Sequence, residues 1–273
     1  MNLCIYNVTL PLVDAYPNRP LIIRVIDPAV VVLTLLPHEL ENLVALQLLD
    51  ISAELDLLEQ WHPGLPIEVV LKDPQCETMK LYRLSKLQRL HPVRVVIPIV
   101  AGFSRAVRVA SFLQLPIKLE GAQPSPSLID ELSETLEFFL HNKAVSEPID
   151  YFSGLLMAVL HKLPVTLWSI QEEDPSLVRY VTDDGTETLA RRPFDAPHED
   201  LDSFQFELTK RVLSPDAECA SCEFFMNCGG YFKWPERDYS CHGIKRVLRR
   251  VRDAAYELQD DLALYPVRTE PAT

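Results

Sequence analysis

The chain has 273 residues, a mass of 31.1 kDa and 48% hydrophobic content, enough for one large domain or a domain with a small appendage. Its eight glycines form no G-x-G-x-x-G, P-loop or G-x-S-x-G pattern and H-E-x-x-H is absent, which argues against Rossmann, P-loop and α/β-hydrolase readings. A formal net charge of −13 repels phosphate backbones and disfavours a nucleic-acid partner; with no basic, apolar leader and no run near the roughly 20 apolar residues of a membrane span, a soluble cytoplasmic protein is expected.

From residue 21 onward, β-rich and helical periods alternate. The runs 21–26 and 30–36 are apolar and rich in branched residues, as in strands buried on both faces. A helical stretch, broken once, is predicted over 38–60, then a strand over 67–72 ended by Asp73-Pro74 and a helix over 77–90. A strand over 93–100, a helix over 104–115, a strand over 117–120, helices over 127–142 and 151–162, and a last strand over 165–170 follow. This alternation predicts right-handed βαβ units that close as a partial or complete β/α barrel, with an open doubly wound sheet as the alternative. Residues 179–182 and 186–189 flank Asp183-Asp184-Gly185, a hairpin signal. A polar linker over 191–202, a cysteine-rich segment, a helix over 243–264 and a loose tail over 269–273 complete the chain.

Four of the six cysteines, Cys219, Cys222, Cys228 and Cys241, lie within 23 residues with the spacing C-x2-C-x5-C-x12-C. In a reducing compartment such clustering favours metal over disulfides. Four thiolates complete either a tetrahedral zinc site or a [4Fe–4S] cube, and the spacing alone leaves both open. Gly229-Gly230 permits close backbone approach to the third cysteine, and Phe224, Phe225, Phe232 and Trp234 are placed to exclude water. Cys4 and Cys76 stand apart and are expected to pack as small hydrophobes.

The run CASCEFFMNCGG, followed by YSC and a helix, resembles the SPASM domain, the C-terminal auxiliary iron–sulfur module of radical-SAM enzymes that modify peptides and small proteins. The resemblance covers about residues 216–250 and implies that Cys219, Cys222, Cys228 and Cys241 hold one auxiliary [4Fe–4S] cluster. The cysteine that serves a first auxiliary cluster in that family is Phe232 here, and Thr188-Leu189-Ala190 stands where its companions are expected. By analogy the upstream region is a degenerate, radical-SAM-like barrel over residues 1–192, including the hairpin, followed by a reduced SPASM-type domain over 193–273. No C-x3-C-x2-C is present and no G-G-E-P-like segment, so the chain is not expected to cleave or require SAM.

The resulting expectation is a cluster protein, non-catalytic alone, that assists a radical-SAM maturase in modifying a precursor peptide, by presenting substrate or relaying an electron. The alternative is a zinc-stabilised scaffold or adaptor without a redox role. A third possibility, unrelated chemistry in the barrel cavity, requires a convergent set of polar residues. Lys245, Arg246, Arg249, Arg250 and Arg252 make the last helix basic, either as a solvated face or as a dock for an acidic partner. Glu172-Glu173-Asp174 reads as a solvated turn or as a functional barrel loop, His242 as an exposed neighbour or a further donor to the cluster, and the other histidines form no triad.

Overall fold

In the computed structural model, which describes residues 4–35, 41–59, 61–121, 123–189 and 200–264, eight strands form one sheet. They are β1 (Ile5–Thr9), β2 (Leu21–Val25), β3 (Leu43–Leu48), β4 (Ile67–Val70), β5 (Val93–Pro98), β6 (Ile117–Glu120), β7 (Val178–Val181) and β8 (Glu187–Thr188), in the order β6-β5-β4-β3-β2-β1-β7-β8. Every neighbouring pair is parallel except the β7–β8 hairpin. β1 to β6 lie side by side in chain order, as successive right-handed crossovers require. The first and last strands of that order, β6 and β8, are not bonded to one another, so the architecture is an open, partial β/α barrel. No helix among the described residues is long and apolar enough to cross a membrane.

The two faces of the sheet differ sharply in chemistry. Side chains alternate along a strand, so residues two apart share a face. One face carries Val8, Ile23, Leu46, Ile67, Val69, Val95, Ile97 and Leu119, all buried in the main apolar cluster with the helices. Those helices are α1 (Pro28–Thr34), α2 (Pro74–Glu77), α3 (Phe103–Phe112), α4 (Pro126–His141), α5 (Asp150–Leu160), α6 (Leu167–Ile170), α7 (Phe204–Val212), α8 (Phe225–Cys228) and α9 (His242–Leu264). The opposite face carries polar residues on seven strands, among them Tyr180 on β7, Asn7 on β1, Arg24 on β2, Gln47 on β3, Glu68 on β4, Arg94 on β5 and Lys118 on β6.

The later expected elements are found within a few residues of their places, and the differences lie mostly in the first third. Of residues 30–36, expected as a strand, 30–34 belong to α1 and Leu35 follows at its end. Asp27 accepts the Ala29 N–H at 2.9 Å and Pro28 occupies the first turn, a start signal that outweighs three consecutive valines. The helix expected over 38–60 contains β3 instead, followed by a 3-10 turn at Leu55–Leu58; residues 36–40 and 60 lie outside the described residues. A short apolar run satisfies both periods, and here burial of Leu46, Gln47 and Leu48 in the sheet decides it. The helix over 77–90 is the short α2 continued by 3-10 turns, and the strand expected over 165–170 is α6. β1 precedes the first expected strand, and α7 fills a stretch without a predicted element. Residues 191–199 of the expected linker and the tail 269–273 lie outside the described residues.

α9 packs against α4 and α5 through Ile244, Val247, Leu248, Val251 and Ala255, so the C-terminal segment shares the barrel's core. Leu258 and Leu262, farther along the helix, are exposed. The five basic residues of α9 lie at the surface, partly or fully exposed, and each is ion-paired. Lys245 pairs with Glu218, Arg246 with Asp130, Arg249 and Arg252 with Glu223, and Arg250 with Glu137, which fastens the helix to α4 and to the cysteine segment.

Candidate functional site

Cys219, Cys222, Cys228 and Cys241 are free thiols that line one tight slot of about 10 Å³, whose walls also include Phe224, Phe225, Phe232 and Ile244. Local geometry brings them there. α8 ends on Gly229, whose N–H bonds the Phe225 carbonyl at 2.7 Å, and Gly229 and Gly230 both take left-handed φ values of 60° and 73°. A Cβ on Gly229 would sit 3.2 Å from Thr166 and Trp168, and one on Gly230 3.1 Å from Val212, so only glycine fits both the turn and the close approach. The loop is tied to the barrel: Trp168 Nε1 donates to the Gly229 carbonyl at 3.0 Å and Gln123 Nε2 to the Phe232 carbonyl at 3.0 Å. Trp168 also meets Tyr231 and Phe204 edge-on, with centroids 5.1 and 5.3 Å apart, and Trp234 packs on Phe204 rather than lining the slot.

Burial governs the thiols. It raises Cys219, takes Cys228 up to about 11 against the backbone N–H groups of Phe232, Tyr231 and Gly230, and takes Cys241 up to about 12 with Glu218 adding to the effect. Two cations stand at the slot. Lys233 donates to Glu218 Oε2 at 2.7 Å and to the Tyr239 carbonyl at 2.6 Å, and Lys245 donates to Glu218 Oε1 at 2.7 Å. Against its own burial, these lysines hold the Glu218 carboxyl at about 2. The Tyr151 hydroxyl is fully buried without a hydrogen-bond partner, and burial and then the nearby Cys228 push its ionisation well above the ordinary value. His242 is exposed at the start of α9 and does not line the slot. Cys4 is partly buried, whereas Cys76 is exposed rather than packed.

Among the described residues, no group of three or more His, Cys, Asp or Glu side chains is spaced to hold a single metal ion. Four thiolates suit a zinc ion and a polynuclear cluster alike. The donor set, the inward N–H groups, the two lysines and the unpartnered Tyr151 hydroxyl all suit a bound anionic group.

A second constellation occupies the polar face of the sheet. Asn7 Nδ2 donates to Gln47 Oε1 at 3.1 Å, Gln47 Nε2 donates to Glu68 Oε2 at 2.6 Å, and Glu68 Oε1 accepts from Arg94. Arg94 also donates to Asp150 at 3.0 Å and to both oxygens of Glu172 at 2.8 Å, and Lys118 donates to Glu172 Oε2 at 2.8 Å. Glu172 is thus no solvated turn residue: it sits at φ 55° and reaches back to β5 and β6. Burial acts to raise its carboxyl, but Lys118 and Arg94 outweigh that and hold it at about 2. Burial raises Asp150 despite Arg94, and it opposes the charge of Lys118, which Tyr180, Glu172 and Glu68 nonetheless favour. None of Asn7, Gln47, Glu68, Arg94 and Lys118 stands out in the sequence. The available signal is a repeated strand opening, Ile67-Glu68-Val69, Val93-Arg94-Val95 and Ile117-Lys118-Leu119, with one charge in the same second place.

No protein-family model matches the chain, and no curated protein matches it. Its fold is similar to that of a solved structure described as native anSMEcpe with bound AdoMet, with a TM-score of 0.59 and 12% sequence identity over 94% of this chain and 100% of that chain. At that identity the likeness is one of fold.

Proposed function

We propose that this protein is a one-cluster iron–sulfur protein in which Cys219, Cys222, Cys228 and Cys241 hold a [4Fe–4S] centre beside a partial barrel that does not itself cleave SAM. The observation that carries this reading is the shared slot: four free thiols from one 23-residue segment, three buried and Cys222 partly so, with lysines and backbone N–H groups beside them. When bound, such a centre supplies one-electron transfer. The chain's own part is to hold it and shield it. Phe224, Phe225 and Phe232 keep water from the thiolates, Lys233 and Lys245 offset their negative charge, and the Gly229-Gly230 turn brings backbone N–H groups to Cys228. The protein then works with a radical-SAM maturase on a precursor peptide. The fold likeness to an AdoMet-bound structure supports descent from such a barrel, and the missing C-x3-C-x2-C supports an assisting role rather than a self-sufficient one.

Anaerobic purification followed by iron and sulfide analysis tests it, with about four of each expected per chain. Cys222→Ala and Cys228→Ala should each abolish that content and the accompanying colour. One zinc per chain and no colour after reconstitution would replace this reading with a zinc-stabilised adaptor.

A further inference from the structure

A cavity of about 730 Å³ opens at the N-terminal ends of the strands, within the roughly 300–1,000 Å³ of ordinary small-molecule sites. It is lined by the first residues of strands and the residues just before them, such as Ile5, Ile22, Val44, Ile67, Val93 and Val178. In β/α barrels the functional loops cluster at the other, C-terminal end of the strands. The cavity is therefore separate from the place where barrel chemistry is usual, and the cysteine slot shares none of its lining residues.

The walls are apolar, and the charge is concentrated and unequal. Glu68, Glu147 and Glu172 line the cavity beside a single guanidinium, Arg94. Within the ion-paired cluster, Glu68, Asp150 and Glu172 share the two cations Arg94 and Lys118. Glu147 adds a further carboxylate, half-buried and paired with no cation among the described residues. Acceptor capacity is left over as well. A carboxylate offers about four lone-pair sites, and Glu172, one-third exposed to the cavity, uses three of them. His91, also in the lining, offers nothing to a ligand, because its ring nitrogens lie 3.0 and 2.9 Å from the Leu65 and Leu58 carbonyls. We infer that this cavity binds a small organic cation, a primary ammonium or guanidinium on an apolar body, with the charged end held by Glu172 and Glu147 and the body against Ile22, Ala45 and Val178. This inference is independent of the cluster reading.

Hexylamine and hexanoate, matched in apolar length and opposite in charge, are suitable probes. In NMR titrations of the full chain, hexylamine should bind saturably in the millimolar to tens-of-millimolar range, as expected for about seven heavy atoms at ordinary ligand efficiency or somewhat above, and hexanoate should not. Glu147→Gln, which breaks no ion pair, should weaken hexylamine about fivefold, the worth of one screened charge at about 4 Å. Glu172→Gln should weaken it at least as much, and wild-type amide shifts elsewhere will show whether that variant folds. Preferential hexanoate binding, no saturable binding of either probe, or hexylamine binding indifferent to Glu147→Gln would each overturn the proposal. Iron content measured on the same samples keeps its failure distinct from any failure of the cluster reading.

Discussion

The cysteine slot and the barrel interior both place polar groups among apolar ones, and they settle the cost by opposite means. In the interior each charge meets a partner from another strand or turn, so Arg94 serves Glu68, Asp150 and Glu172 at once, and Lys118 is fully buried yet charged because Glu172 reaches it. In the slot Lys233 and backbone N–H groups favour the thiolates, but burial outweighs them and raises Cys228 and Cys241, and the Tyr151 hydroxyl stands without an acceptor. The first arrangement is nearly complete as the chain folds. The second leaves bonding capacity unfilled. An ion network of this kind stabilises through its own geometry, whereas a ligand site stores unfilled bonding capacity for later use.

That contrast predicts opposite responses to substitution, and the largest belongs to the interior. Arg94→Leu leaves Glu68, nearly fully buried, without its cation, and breaking a buried pair from one side typically costs roughly 3–5 kcal/mol. Urea unfolding of the metal-free protein should show that loss. Cys228→Ala should cost only about 1 kcal/mol in the same assay, the worth of one methylene-sized group, while removing the iron. A metal-free Cys228→Ala protein as unstable as Arg94→Leu would mean that the slot is a packed structural core, and the contrast would be gone.

The two regions were also unequally legible. The slot is written in 23 consecutive residues, so spacing alone names its donors, and α9 follows with a clean 3.6-residue stripe. The barrel's later elements are equally plain, because Asp73-Pro74, Gly102 and Ser125-Pro126 punctuate them. The interior network is assembled from one residue on each of several strands plus Asp150 and Glu172, and no local pattern declares that pairing. Glu172 looked like part of an acidic turn because its two cations lie 78 and 54 residues upstream. In the first third, α1 and β3 exchange the expected types. There the apolar runs are too short for period to decide, and Asp27 with Pro28 decides instead.

Each region also contains one carboxylate gripped by two cations, and acid should find both. Glu172, against Arg94 and Lys118, and Glu218, against Lys233 and Lys245, are each held at about 2, below the ordinary 4.5. A depressed folded value contributes stability that is fully present above about pH 5 and is lost as the pH falls through 4.5 toward 2. Urea midpoints measured across that window should fall for the wild type, and less steeply for Glu172→Gln and for Glu218→Gln. The two carboxylates share no partner, so the double variant should combine the two effects additively. An unchanged slope in Glu172→Gln would show that the interior pairs are not what fixes the acid response.

The smallest predicted effect separates the regions most cleanly, because its sign depends on what the slot contains. Tyr151 packs edge-on to Phe152, with centroids 5.5 Å apart, and its ring is wholly buried, so Tyr151→Phe keeps the packing and removes only the hydroxyl. In the metal-free chain that hydroxyl is buried and unpartnered, and such a group costs about 1–3 kcal/mol. The variant should therefore be more stable than the wild type by about 1 kcal/mol in urea unfolding without metal. With the cluster reading, the hydroxyl gains an acceptor near Cys228 when the slot is filled, so the same substitution should shift the reduction potential of the bound centre downward by weakening hydrogen bonding to it. Stabilisation without metal together with a changed potential would mark Tyr151 as a residue that waits for a ligand. Destabilisation without metal would mean the hydroxyl already has a partner in the empty slot, and the description of the slot as unfinished would fail.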